Sequence, residues 1–208
     1  MKKFLFFTIA TIIVNNTQVY PDQKPQHVYA VFANDNTQGL SHAAFEQAVS
    51  TLNKKGHKVD EMKLYDHHKD IPFFQHGKDI MENNAFYMDN QKRFLEADTL
   101  LIVFPMYWYS MPAIMKAWID MINAWAYKFE KDGSIKPLHS VKKAVIIYTS
   151  MLDRNSLSEQ VNHAVEAQML QTCKFLSIND VTIHHIGNVY GQSKEELTKH
   201  IENITQKL

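Results

Sequence analysis

The sequence is short of residues that carry redox or metal chemistry unaided: 208 residues contain a single cysteine, Cys173. One thiol makes no internal disulfide, no cysteine-rich zinc site and no dithiol pair, so any redox chemistry must come from a bound cofactor. An excess of charge of one sign is also missing. Lys and Arg total 22, as do Asp and Glu, and no basic block interrupts the chain, which excludes the cationic surface that nucleic acid requires. Near the start, Phe4 to Val14 is an apolar run of eleven residues with two threonines in it, well short of the roughly 20 that cross a bilayer.

That run follows Lys2 and Lys3, the charged head and apolar core of a secretory signal. Asn15 to Tyr20 offers no small-x-small cleavage pattern. Export or membrane association through residues 1–20 is the expectation; an ordinary N-terminal strand in a cytoplasmic protein is the alternative. The polar stretch from Pro21 to Gln26 reads as linker, dividing the chain into a leader or linker, 1–26, and one domain, 27–208. The leader holds Lys2, Lys3 and Lys24 against Asp22, so the neutral total conceals a domain of net charge −2.

From residue 27 onward, short β-branched or apolar runs alternate with amphipathic segments of helical length. The strands are expected at 27–33, 58–64, 99–104, 143–149 and 180–186, and the helices at 41–55, 79–97, 111–127, 156–176 and 193–207. The runs at 99–104 and 143–148 are apolar almost throughout, as in central strands covered on both faces; those at 58–64 and 180–186 carry polar residues, as in edges. One continuous alternation of this kind predicts a three-layer α/β sandwich of flavodoxin-like type, with a five-stranded parallel sheet in order 2-1-3-4-5. Ligands of such sheets sit beyond the strands' C-terminal ends. Function is therefore sought in the loops at 33–41, 105–111 and 149–156.

Several chemistries are absent from those loops. Ala33 to Ser41 contains one glycine, so it holds neither a G-x-G-x-x-G fingerprint nor a P-loop. No aspartate ends the third strand, as a phosphoacceptor domain would require, and no G-x-S-x-G elbow occurs. His67 and His68 lie near Asp66 and Asp70, but adjacent histidines diverge on most backbones, and no metal site is expected there. His184 and His185 should alternate faces, one in and one out. Cys173, spaced with Leu170 and Leu176, reads as a small buried hydrophobe.

The third loop stands out. Phe104-Pro-Met-Tyr-Trp-Tyr-Ser-Met-Pro112 sets Tyr107, Trp108 and Tyr109 at the mouth of a central strand, and Ser110 is placed to cap the following helix. Adjacent aromatics there line an interface, pack in the core or hold a flat ligand. Ile114, Met115, Trp118, Met121, Ile122 and Trp125 follow at helical spacing and read as packing.

The segment from Phe104 to Asp120, with Ala126-Tyr127 after it, closely resembles the NAD(P)H:quinone oxidoreductase family of flavodoxin-like fold, which includes the drug-activity modulators and the ancillary oxidoreductases of bacterial potassium efflux systems. The typical run there is F-P-[LM]-x-W-x-[SG]-[MV]-P-A-[IL]-[LM]-K-G-[WF]-[IF]-[DE], and the resemblance covers 27 to about 190. It implies a homodimeric flavoprotein holding FAD or, alternatively, FMN, reduced by NADPH or NADH and oxidised by a quinone-like acceptor. By matching motif, Pro105, Met106, Tyr107, Trp108 and Tyr109 would bind the isoalloxazine ring, Gln38, Gly39, Leu40 and Ser41 its phosphate, and Thr149 and Ser150 would form the remaining flavin loop. Trp108 would also meet the acceptor, with Tyr127 and Phe129 supplied by the neighbouring subunit. Tyr107 and His163 are the catalytic candidates, His163 as proton handler with a solvated helix histidine as the alternative.

The chain departs from the family in two loops. A-H-P-x-x-x-S-x-N is replaced by Ala33-Asn34-Asp35 with Gly39 and Ser41, and T-T-G-G by Tyr148-Thr-Ser-Met151. Both changes are expected to weaken flavin holding. They keep open an alternative reading as a flavodoxin-like binding or regulatory protein without efficient turnover.

Overall fold

The computed structural model describes residues 25–73, 84–122, 125–153 and 159–208, with backbone alone for 159–163. The signal-like segment 1–20 lies outside the described residues. Five parallel strands form the main sheet: β1 (His27–Phe32), β2 (Lys58–Lys63), β3 (Thr99–Pro105), β6 (Lys143–Thr149) and β7 (Asp180–Ile186), in the order β2-β1-β3-β6-β7. This is the expected 2-1-3-4-5 order once a separate hairpin, β4 (Tyr127–Phe129) with β5 (Ile135–Pro137), is set aside.

Burial follows the expected pattern. All seven residues of β3 are buried, whereas β2 has exposed and half-buried positions with only Met62 buried, because an inner strand has a neighbour on each edge and an outer one does not. On one face, α1 (Leu40–Lys54) and α5 (Lys194–Thr205) cover Val28, Phe32, Val103 and Ile147 with Phe45, Ala48, Ile201 and Ile204. On the other, α2 (Ala85–Glu96), α3 (Ala113–Ile122) and α4 (Glu159–Phe175) cover Tyr29, Ile102 and Phe104 with Phe94, Trp118, Met121 and Met169. Each such side chain stabilises the fold by about 1.5–3 kcal/mol relative to exposure. Within the second layer the fully buried Asn90 accepts hydrogen bonds from the Tyr29 hydroxyl and Trp118 Nε1, and donates to the Phe86 carbonyl.

Three expectations change at this level. The helix expected over 111–127 starts at Ala113 and is described to Ile122, and its expected last residue, Tyr127, opens a hairpin instead, reversed by Asp132-Gly133 with Gly133 at φ 83°. That dipeptide is a hairpin signal, but strands of three residues are too short to show a periodicity. Ser110 caps nothing, because its backbone closes a turn with Tyr107 instead. His184 and His185 do point to opposite faces, yet both are half-buried, since helices cover both sides of β7. The helix expected from 79 has its described part begin at Ala85, where the Asn84 side chain accepts from Tyr87 N–H as an N-cap.

Candidate active site

Strands β1, β3 and β6 release their chains at one edge of the sheet, and the three loops that follow are tied together there. After β1, Asn34 is the knot. Its Nδ2 donates to Ser41 Oγ at 2.8 Å, and its Oδ1 accepts from the Asn36 N–H and from the Tyr107 hydroxyl, both at 3.2 Å. Asn36 Oδ1 in turn accepts from Gln38 N–H, and its carbonyl from Gly39 N–H. These Asx contacts shape the 34–39 loop without further glycine. Gly39 precedes α1 with no side chain capping the helix and no acidic residue in its first turn, so no carboxylate of that turn offsets the helix's positive end. The resembled serine would be crowded at 39, where a Cβ would lie 3.2 Å from Asn36 Nδ2.

After β3, Tyr107 and Ser110 exchange backbone hydrogen bonds at 2.9 and 3.0 Å, with Trp108 at φ 48° and Tyr109 at φ 62° between them. Two consecutive positive φ values make this a type I′ turn, whose usual central residues are Asn and Gly. Two bulky aromatics there are strained, at about 1–2 kcal/mol each. The strain lifts the indole into the open: Trp108 is 94 % exposed, while Tyr107 and Tyr109 are half-exposed. Burial, helped by the nearby Tyr65 and Asp35, pushes the Tyr107 hydroxyl above the usual tyrosine range. That hydroxyl donates its hydrogen bond to Asn34 Oδ1.

After β6, Met106 N–H donates to the Thr149 carbonyl at 2.7 Å, which binds the second and third of these loops together. Ser150 is buried, and its hydroxyl lies 2.6 Å from the Leu152 carbonyl and 2.7 Å from His185 Nε2. A carbonyl oxygen only accepts, so the single hydroxyl proton goes to Leu152 and Nε2–H of His185 must donate to Ser150. Ser150 is thus not a base-activated nucleophile. Beneath the loops, Phe104, Tyr148 and His185 stack across β3, β6 and β7, with centroids at 6.1 and 4.5 Å, and the Tyr148 hydroxyl donates to Glu166.

Between the turn and the third loop lies an open cavity of about 530 Å³, lined by Met106, Tyr107, Trp108, Tyr109, Met151 and Leu152. The structure thus brings together Pro105 to Tyr109 with Thr149 and Ser150, and joins Gln38 to Ser41 to them through Asn34. It does not bring Tyr127 or Phe129 to the cavity of their own chain. Tyr127 lines a separate groove with Met111, Ile119 and Phe175, and it follows α3, which runs about 15 Å away from the turn. The side chain of His163 lies outside the described residues. Sequence reasoning missed Asn34 as a link, the Phe104–Tyr148–His185 stack, and Met151 and Leu152 as cavity walls. The Asn34-x-Asn36 spacing was a legible signal for linked Asx turns; the other contacts depend on register between strands distant in sequence.

A family model described as the flavodoxin-like fold matches residues 26–208. The chain belongs to this family. Within it, the chain is 25 % identical to the rat NAD(P)H dehydrogenase [quinone] 1 over 190 residues, covering 76 % of this chain and 68 % of that protein. It is 36 % identical over 88 residues to the FMN-dependent NADH:quinone oxidoreductase 1 of Hahella chejuensis, 41 % of each chain. It is also 30 % identical to the uncharacterized NAD(P)H oxidoreductase YcaK of Escherichia coli over about half of each chain. The chain spans about half the length of several of the curated relatives it matches. Among solved structures, the NAD(P)H:quinone oxidoreductase from Methanothermobacter marburgensis superposes with a TM-score of 0.73 at 20 % identity, over 88 % of this chain and 94 % of that one. That likeness carries the flavodoxin-like fold.

Proposed function

We propose that this flavodoxin-like protein is a flavin-dependent NAD(P)H oxidoreductase that reduces quinone-like acceptors. The observation that carries the reading is the strained, outward-facing Trp108-Tyr109 turn at the C-terminal mouth of the central strand. An indole held almost wholly in water at a strained backbone position is a wall awaiting a flat partner. Met106 to Tyr109 would hold the ring on one side and Met151 and Leu152 on the other. The uncapped start of α1, with Gln38 to Ser41, would hold a phosphate. FMN is the form named for the Hahella relative, and a helix start within reach of the ring site through Asn34 suits a single terminal phosphate.

A bound flavin supplies the two-electron exchange between a reduced nicotinamide and a quinone. The chain itself orients the ring, excludes water from one face through Trp108 and Tyr109, and offers backbone N–H groups of the turn to the ring edge. Tyr107, bonded to Asn34, is proposed as a catalytic residue at the ring edge. His163, in the first turns of α4, is proposed as the proton handler. Tyr127 and Phe129 sit at the far end of α3 from their own cavity, which favours a homodimer in which they reach the partner's; Phe129 is 65 % exposed and free to do so.

The test is a visible spectrum of the purified chain with added FMN or FAD, followed anaerobically. Flavin absorption at about one per chain, bleached by NADPH or NADH and restored by a quinone, is expected. A protein that binds neither flavin refutes the reading. A protein that binds flavin without being bleached supports the alternative binding or regulatory role, which Ser150 and Met151 favour by standing where the resembled family has glycines.

A further inference from the structure

The outermost strand β7 and helix α5 enclose a second cavity, of about 560 Å³, that the function above does not use. From α5, His200, Asn203 and Lys207 line it, three and four residues apart and therefore on one helix face. From β7, His184 faces them, while Gln192 and Asp153 close it from the loops. Burial, helped by the nearby Lys207 and His200, holds the His184 imidazole below the usual histidine range. Among the described residues, the side chains of His184, His200, Asn203 and Lys207 have no hydrogen-bonding partner. Asp153 is the one acidic residue in the described lining.

We infer that this cavity is a binding site for a phosphate group. Three groups that carry or can take up positive charge converge with an amide donor at an open cavity, with Asn203 and Lys207 exposed to solvent, which is the donor set a tetrahedral dianion needs. Lys207 supplies a positive charge, and the rings of His184 and His200 supply N–H donors.

The phosphate has two sources, and the loop at 150–153 sets them apart. Leu152 lines the aromatic cavity and the next residue, Asp153, lines this one, so one strand of chain walls both. Gly187 lets that loop pack down on β7, since a Cβ there would stand 2.6 Å from the Leu152 carbonyl. A dinucleotide with its nicotinamide at Trp108 would carry a 2′-phosphate past this wall, a reading that rests on the proposed oxidoreductase function. Free phosphate or a simple phosphomonoester needs no such function.

The experiment is a histidine C2–H NMR titration of the full chain, with His184 and His200 assigned from His184→Gln and His200→Gln. Inorganic phosphate, 5′-AMP and 2′,5′-ADP are added in turn. Phosphate and 2′,5′-ADP are expected to move both resonances, raise the His184 titration midpoint, and bind about tenfold more weakly to Lys207→Ala. Preference for 2′,5′-ADP over 5′-AMP and phosphate by tenfold or more assigns the coenzyme; equal affinity for all three assigns a free phosphate or phosphomonoester. Either preference can be read in protein that shows no flavin spectrum, so failure of the oxidoreductase reading leaves this result intact. If neither phosphate nor 2′,5′-ADP moves His184 or His200, or if Lys207→Ala binds as tightly as the parent, the site does not exist.

Discussion

Trp108→Ala separates ligand binding from folding more sharply than any other single change. In the free protein the indole hides only about 6 % of its surface, roughly 15 Å² of a side chain of about 250 Å², so truncation forfeits about 0.4 kcal/mol of burial. Alanine in the left-handed region keeps the backbone strain, so the unfolding free energy should change by less than about 0.5 kcal/mol. A planar ring laid against the indole would bury roughly 100 Å² of it, about 2.5 kcal/mol, and losing that weakens flavin binding by about seventyfold. Trp108→Gly should lose the same affinity while being more stable than Trp108→Ala by about 1 kcal/mol, because glycine enters positive φ without steric cost. Urea unfolding followed by far-ultraviolet circular dichroism gives the stability, and quenching of added flavin fluorescence gives the affinity. A loss of 2 kcal/mol or more in stability with Trp108→Ala, matched by the loss in affinity, would show that the indole packs in the fold and would refute the ligand-wall argument.

Other changes probe the scaffold beneath. Asn34→Ala cuts the links to Ser41 and Tyr107 and should cost about 1 kcal/mol of stability with a larger, at least tenfold, loss of flavin affinity, read by the same two assays. Asn90→Ala leaves the buried Tyr29 hydroxyl and Trp118 N–H without an acceptor and should destabilise by about 3 kcal/mol or more in urea, with native-like flavin affinity in whatever fraction stays folded. Burial holds His139 below the usual histidine range, beside Phe94 and bonded to the Leu176 carbonyl. The unfolded chain therefore binds the extra proton first, and stability should fall as pH drops through the unfolded value near 6.5. His139→Gln should flatten that fall between pH 7 and 5, and an unchanged slope would assign it to other groups. Burial also pushes the Cys173 thiol up to about 11, so a thiol reagent at pH 8 should label it only as fast as the protein unfolds.

The layers of the fold were legible because they rest on long periodic segments. β3 and β6 are apolar enough to declare two covered faces, and α5 is framed by the Ser193–Glu196 capping box. The hairpin β4–β5 was not, since three-residue strands give an alternation no statistical weight against the helical stripe that runs into them. In the site, the aromatic run was visible as composition, but its conformation was not. Local propensity places no Trp-Tyr pair in a type I′ turn, and the expectation that Ser110 would cap α3 followed from reading the segment as an ordinary helix entry. The link through Asn34 joins residues 73 apart, and His185 reaches Ser150 from the neighbouring strand. Such contacts become determinate only once the sheet register is fixed.

That local conflict is informative in itself. A sequence optimised only to fold would put Asn-Gly between Tyr107 and Ser110, recovering about 1–2 kcal/mol at each position from a total stability of about 5–15. Here the turn is held by contacts from both flanking loops, Tyr107 to Asn34 and Met106 to Thr149, and the residues so held expose their apolar faces instead of burying them. Hydrophobic burial cannot explain the arrangement, because Trp108 gains almost none. Backbone preference opposes it. A flat ligand that stacks on the exposed face accounts for both at once, since it recovers in the complex the burial that the free chain forgoes. The opposite wall, Met151 and Leu152, is exposed as well, at 66 % and 41 %, so the same reasoning applies to both sides of one slot.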